Sequence, residues 1–218
     1  MTPIDIVIDN NVVPILKSTN YLGIHLDNKL SFTAHIDYVE SKLSQLSGIS
    51  WSIKYDLDVN SAKTYYFSFV FSLLSYGCPV WGGVLIERQC PRLHSLYRRI
   101  ILNLFSWHFP GMSYEGICAK FGFLSPANIY RFTVMTLYYN IRNSGYLPSL
   151  AFSHKVNLYN YRSANELIVP FPRTNVYRMH YSFLIPKIWN SIPISVRNER
   201  DVNKFKSAYK KKLIEINY

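Results

Sequence analysis

Apolar positions alternate with polar ones only near the start of the chain; after that they recur with helical spacing. Residues 4–8 and 12–16 are short β-branched runs flanking Asp9-Asn10-Asn11, which predicts a hairpin. Residues 21–26 read as a third strand, closed by a turn at Asp27-Asn28-Lys29. From 33 to 50, Ile36, Val39, Leu43 and Leu46 fall on one face of a helix. Asp58 or Asn60 is placed to cap a second helix that runs to residue 76, and Gly77 ends it. Pro91 suits the first turn of a third, with Leu93, Leu96, Ile100 and Leu104 inward and Arg92, Arg98 and Arg99 outward.

Ser113 is expected to cap a short helix to Phe121, and Ser125-Pro126 to open a longer one through Arg142, stopped by Asn143-Ser144-Gly145. Residues 147–198 are irregular and proline-rich, with 167–169 and 181–184 reading as short strands. Asp201 caps a final helix with Val202, Phe205, Tyr209 and Leu213 on its inner face. Lys204, Lys206, Lys210, Lys211 and Lys212 crowd its outer turns, where cations near a C-terminus also favour the helix dipole. The expected fold is mainly α with a small N-terminal β hairpin (α+β). Its expected parts are a hairpin over 1–28, a helical bundle over 29–145, and a basic aromatic region with a terminal helix over 146–218.

Charge changes this picture. The chain of 218 residues carries a formal net charge of +11, and it is uneven. Up to Pro110 nine Lys and Arg face eight Asp and Glu; from Gly111 onward fifteen face five. With 18 Tyr and 13 Phe, a basic and aromatic second half suits a polyanion such as nucleic acid. Hydrophobic residues at 49% and charged ones at 17% exclude a chain disordered by composition. Three scattered cysteines make no disulfide framework. No Asn-x-Ser/Thr site or signal peptide is visible, so the nucleus or cytoplasm is the expected compartment. Residues 65–86 carry no charge and are long enough to span a bilayer, but Gly77, Pro79, Gly82 and Gly83 interrupt them. A buried helix plus a turn is the expectation there.

Candidate chemistry is sparse. Nucleotide joining needs carboxylates that seat two metal ions, and the chain has no Asp-Asp pair. Asp56-Leu57-Asp58 begins like a calcium loop, but Ser61 and Phe67 stand where Gly and Glu are required, so a turn and helix cap are expected. Gly111-Met112-Ser113-Tyr114-Glu115 lacks the closing Gly of a nucleophile elbow. Cys90 and His94, four apart, have metal-compatible spacing with His108 and Cys118 further on; a buried thiol beside a surface His is the plainer account. No catalytic residue, metal or cofactor is assigned. The strongest positive signal interleaves Tyr159, Tyr161, Arg162, Phe171, Arg173, Tyr177, Arg178, His180 and Tyr181, since Arg neutralises phosphates and aromatic faces stack on bases. The alternative is a small aromatic core solvated by its arginines.

The order of segments resembles the C-terminal part of reverse transcriptases from non-LTR (LINE-like) retrotransposons. Ser18-Thr19-Asn20-Tyr21-Leu22-Gly23-Ile24 is similar to the family's primer-grip hairpin, and Leu30-Ser31-Phe32-Thr33-Ala34-His35-Ile36 to the segment next to that hairpin. Residues 65–81, ending in Tyr76-Gly77-Cys78-Pro79-Val80-Trp81, resemble a thumb helix, and 93–101 the next one. Trp189-Asn190-Ser191-Ile192-Pro193, then Phe205-Lys206, resembles the terminal block.

The resemblance implies the grip and thumb of a copying enzyme without fingers or palm, a non-catalytic fragment that holds RNA or DNA template-primer. Tyr21, Leu22 and Gly23 would lie near the primer end. Arg92, Arg98, Arg99, Arg162, Arg173, Arg178, Lys204, Lys206, Lys210 and Lys211 are the expected phosphate contacts. A separate polymerase palm is a further expected partner. The competing readings are a membrane-associated protein spanning at 65–86 and a product with no selected function.

Overall fold

The computed structural model describes residues 6–9, 11–13, 16–88, 90–144, 152 and 166–216. Two antiparallel hairpins open the chain. Strand β1 (Ile6–Ile8) pairs with β2 (Asn11–Val13) in the register Ile6↔Val13, Val7↔Val12, Ile8↔Asn11. Strand β3 (Ser18–Tyr21) pairs with β4 (Ile24–Asp27), from Ser18↔Asp27 to Tyr21↔Ile24. The single strand expected over 21–26 is therefore two strands joined by Leu22-Gly23. Both turn residues have positive φ, 49° and 79°, the geometry of a tight hairpin turn whose twist matches its strands. Leu22, Ile24 and Leu26 alternate across the turn and so read as one strand.

Asp27 organises the passage into the helices. Its carboxylate accepts from the amides of Lys29, Ser31 and Phe32 and from Ser31 Oγ. Helix α1 (Thr33–Ser52) comes next and buries Ile36, Val39 and Leu43. Asp58 caps α2 (Val59–Tyr65) by accepting from the Ser61 amide at 2.9 Å. The helix continues through a π-helical stretch (Tyr66–Phe71) into α3 (Ser72–Ser75).

At Gly77 the backbone turns with φ 57°, and a Cβ there would lie 2.5 Å from Ile24 Cδ1, so only glycine lets the turn meet the hairpin. Two short helices, α4 (Cys78–Trp81) and α5 (Gly83–Glu87), take the place of the turn expected after Gly77. Residues 65–86 are thus distributed over several short elements. Among the described residues no helix is long and apolar enough to cross a membrane.

Helix α6 (Pro91–Phe105) makes the most extensive helix–helix contact of the fold, against α1. Leu93, Leu96, Ile100 and Leu104 are buried in it, as their spacing predicts. A polar clamp joins the pair: Asn103 Nδ2 donates to Ser47 O at 3.1 Å and to Ser50 Oγ at 3.0 Å. Ser113 caps α7 (Tyr114–Phe121), and α8 (Pro126–Ser144) starts at the expected proline.

Beyond the undescribed residues, Leu167 is held by one side chain. Its amide donates to Asn190 Oδ1 and its carbonyl accepts from Asn190 Nδ2, both at 2.9 Å. The strand expected over 167–169 is reduced to an isolated β-bridge at Leu167, which this pairing braces. Helices α9 (Asn175–Met179), α10 (Tyr181–Ser191) and α11 (Ile194–Arg197) occupy most of residues 175–197, within the region expected to be irregular. The strand expected at 181–184 is the first turn of α10. Phe183, Leu184, Ile185, Ile188 and Trp189 are all buried by it, and Pro186 inside the helix had masked the helical period. Helix α12 (Val202–Ile216) closes the fold against α8, with Asp201 accepting from the Asn203 and Lys204 amides.

One buried apolar cluster runs from Ile24 to Leu213. Within it Tyr97 Oη donates to the Leu124 carbonyl at 2.7 Å, which leaves Tyr66 Oη to donate to Tyr97 Oη at 2.9 Å. The protein is mainly α with small N-terminal hairpins.

Candidate nucleic-acid interface

The expected contact residues fall in three places. The first is the tip of the β3–β4 hairpin. Tyr21 and Leu22 are 64% and 71% exposed, and Tyr76 Oη donates to the Leu22 carbonyl at 2.7 Å, tying the tip to the end of α3. A groove of about 500 Å³ lies beside it, lined by Leu22, Gly23, Tyr38, Phe69 and Tyr76.

The second place is the α1–α6 face. Arg92 is partly neutralised there, with Nε 3.5 Å from Glu40 Oε2. Arg98 and Arg99 line a groove of about 650 Å³ together with Ser44, Ser47, Gly48 and Trp51. Arg99 Nε donates to Ser47 Oγ at 2.8 Å, and the Arg98 guanidinium lies 5.1 Å from the Tyr114 ring. Both side chains are therefore positioned while their remaining N–H groups stay at the surface.

Four residues absent from the expected set complete this face. Trp51, Tyr55 and Trp107 are 61%, 61% and 59% exposed. Lys54 Nζ sits 3.2 Å from the Trp51 ring centroid and 4.7 Å from that of Tyr55. Tyr55 meets Trp107 edge to face at 4.8 Å. Trp51 lines the Arg98–Arg99 groove, and Lys54, Tyr55 and Trp107 continue from it through these contacts at the ends of α1 and α6. The sequence carried a signal for three of these four, since Trp51, Lys54 and Tyr55 bunch at the end of one helix; Trp107 is brought in by the fold alone.

The third place is the C-terminal region. Arg162, Tyr159 and Tyr161 lie outside the described residues. Arg173 and Arg178 are exposed, as is Phe171. On α12, Lys204 and Lys211 are exposed, whereas Lys206 and Lys210 are half-buried. Lys210 lies against Gly122, and burial lowers its pKa. Lys212 is committed to the Ser191 carbonyl at 2.8 Å. Two of the four expected lysines are accordingly less free for phosphates than a solvated helix face would make them.

The remaining candidates have structural duties. Asp58 and Ser113 are helix caps. Cys90 is buried and burial raises its thiol pKa, while burial lowers that of His94. Among the described residues no three His, Cys, Asp or Glu side chains gather as a metal would require. Comparison with protein-family models, with characterised proteins and with solved structures finds no match to this chain.

Proposed function

We propose that this protein holds unpaired or partly paired nucleic acid on the α1–α6 face, as the grip-and-thumb portion of a LINE-like reverse transcriptase and without joining nucleotides itself. The observation that carries this reading is the group of exposed aromatics Trp51, Tyr55 and Trp107, linked through Lys54 and joined by Trp51 to the Arg98–Arg99 groove. Large aromatic faces left in water cost free energy unless something covers them, and bases stack on such faces without sequence preference. The arginines alongside supply phosphate contacts. The lack of an Asp-Asp pair supports a holding role.

A separate polymerase palm is the proposed protein partner. Each N-terminal hairpin has only two strands, and such ribbons are marginal alone, so a neighbouring sheet would stabilise them. Mixing the chain with a separately expressed palm should stimulate primer extension; no stimulation removes that partner.

The binding test is a salt titration with labelled single strands and primer-template duplexes. Affinity should fall steeply as salt rises. Trp51→Ala and Trp107→Ala should each weaken single-strand binding by about 1–3 kcal/mol. No affinity at low salt, or no effect of either substitution, would overturn the reading.

A further inference from the structure

A second basic site lies on elements other than α1 and α6. The last turn of α8 and the junction between α11 and α12 flank an open pocket of about 760 Å³ lined by Tyr139, Arg142, Arg197, Asn198, Glu199 and Arg200. None of the three arginines belongs to the residues singled out from the sequence.

The pocket is built rather than incidental. Arg197 is only 5% exposed, an unusual place for a guanidinium. Arg142 is held with its guanidinium 5.3 Å from the Trp189 ring centroid. Tyr139 Oη donates to the Glu199 carbonyl at 2.6 Å and so fixes the backbone of the junction. Burial lowers the Arg197 pKa, Glu166 opposes that shift and Arg142 adds to it. Lys212 also feels Arg197. Arg142, Arg197, Arg200 and Lys212 are thus gathered with two carboxylates, Glu166 and Glu199, in attendance. Among the described residues, cations outnumber carboxylates in a place where like charges repel.

We infer that this pocket is an oxyanion site that takes a phosphate group carrying close to two negative charges. A phosphate monoester or orthophosphate has about that charge at neutral pH and offers three acceptor oxygens. Guanidinium forks match such oxygens in pairs of hydrogen bonds. A site held by stacking, burial and a fixed backbone loses little entropy on binding. The volume also leaves room for whatever the phosphate is attached to. The inference does not rest on the aromatic face.

The test uses the full chain and inorganic phosphate at constant ionic strength, balanced with chloride, read as line broadening in ³¹P NMR. Arg200→Gln and Arg142→Gln should each weaken phosphate binding about tenfold. Lys29→Gln, which removes the same charge outside the lining of this pocket, should leave it unchanged. If Arg142→Gln loses its fold through Trp189, Arg200→Gln decides. A second arm compares oligonucleotides with a 5′-phosphate and a 5′-hydroxyl. A preference for the phosphate that Arg200→Gln abolishes assigns the ligand to a strand end; orthophosphate binding without that preference assigns it to a small free phosphate. Trp51→Ala should leave the ³¹P signal of the complex intact, so this site and the aromatic face fail separately. No broadening, or an equal loss in Lys29→Gln, overturns the inference.

Discussion

Both halves of this protein bury aromatic residues, but they differ in where aromatic faces gather in water beside arginines. In the C-terminal half, which carries most of the net charge, Tyr138, Tyr139, Trp189, Phe205 and Tyr209 are buried. Tyr139 and Phe205 stack at 4.3 Å, and Tyr138 meets Trp189 at 5.0 Å, so these rings cement α8, α10 and α12 together. In the nearly neutral N-terminal half, Trp51, Tyr55 and Trp107 stand in water beside Arg98 and Arg99. Net charge and binding surface are therefore different properties. A basic half can spend its aromatics on a core and its lysines on carbonyls, as Lys212 does on Ser191. Stacking depends on aromatic faces left uncovered, and burial decides where those are.

The sharpest way to break this contrast is to truncate one ring from each half. Trp189→Ala should destabilise the fold by about 3–5 kcal/mol, because a fully enclosed ring leaves a cavity. Trp107→Ala should change stability by less than about 0.5 kcal/mol. Urea denaturation of both variants checks this, and equal losses would mean that Trp107 is a packing residue.

The polar links of the N-terminal half come next. Asn103→Ala removes its two hydrogen bonds from α6 to α1 and leaves Ser50 Oγ without its donor, while Ser47 O keeps its Ser50 Oγ donor, at a cost of about 1–3 kcal/mol. Because Arg99 is braced on the same Ser47, this substitution should also weaken strand binding; unchanged affinity would separate the clamp from the face.

A third prediction uses pH. His35 is buried beside Trp81, with ring centroids 4.9 Å apart, and accepts from the His25 amide at 3.4 Å. Burial, helped by the positive charge of His25, pushes its pKa down to about 4. Between that value and the ordinary 6.5 the unfolded chain binds the extra proton. Stability should therefore be complete above pH 6.5 and fall by about 2 kcal/mol as pH drops toward 4. Chemical denaturation at several pH values measures it, and His35→Phe should flatten the dependence.

The smallest expected effect is on α12. Lys204→Ala and Lys211→Ala remove exposed charges and should alter stability by less than about 0.5 kcal/mol. Should either one reduce strand affinity as much as Trp51→Ala does, the binding surface would extend to the basic half.

Much of the fold was legible along the chain. The caps at Asp58, Ser113 and Asp201, the prolines opening α6 and α8, and the inner face of α6 all lie where local rules put them, because each depends on residues within a turn or two. Local signals failed where two of them conflicted. Leu22 at a positive φ is a poor turn residue by composition, and Pro186 broke the period of α10 without breaking the helix. The binding surface was legible only in part. Arg98 and Arg99 were visible as outward positions of a helix, but their aromatic neighbours come from the ends of two elements that meet in space.

What the sequence by itself determined is the helical character, most element starts, the uneven charge and the lack of paired aspartates, since composition and short-range hydrogen bonding do not depend on how the chain returns on itself. Only the tertiary structure decided which aromatics are core and which are surface, and which cations are spoken for. Burial and charge compensation are set by partners far apart in sequence: Trp107 against Tyr55, Glu166 against Arg197, Lys212 against Ser191.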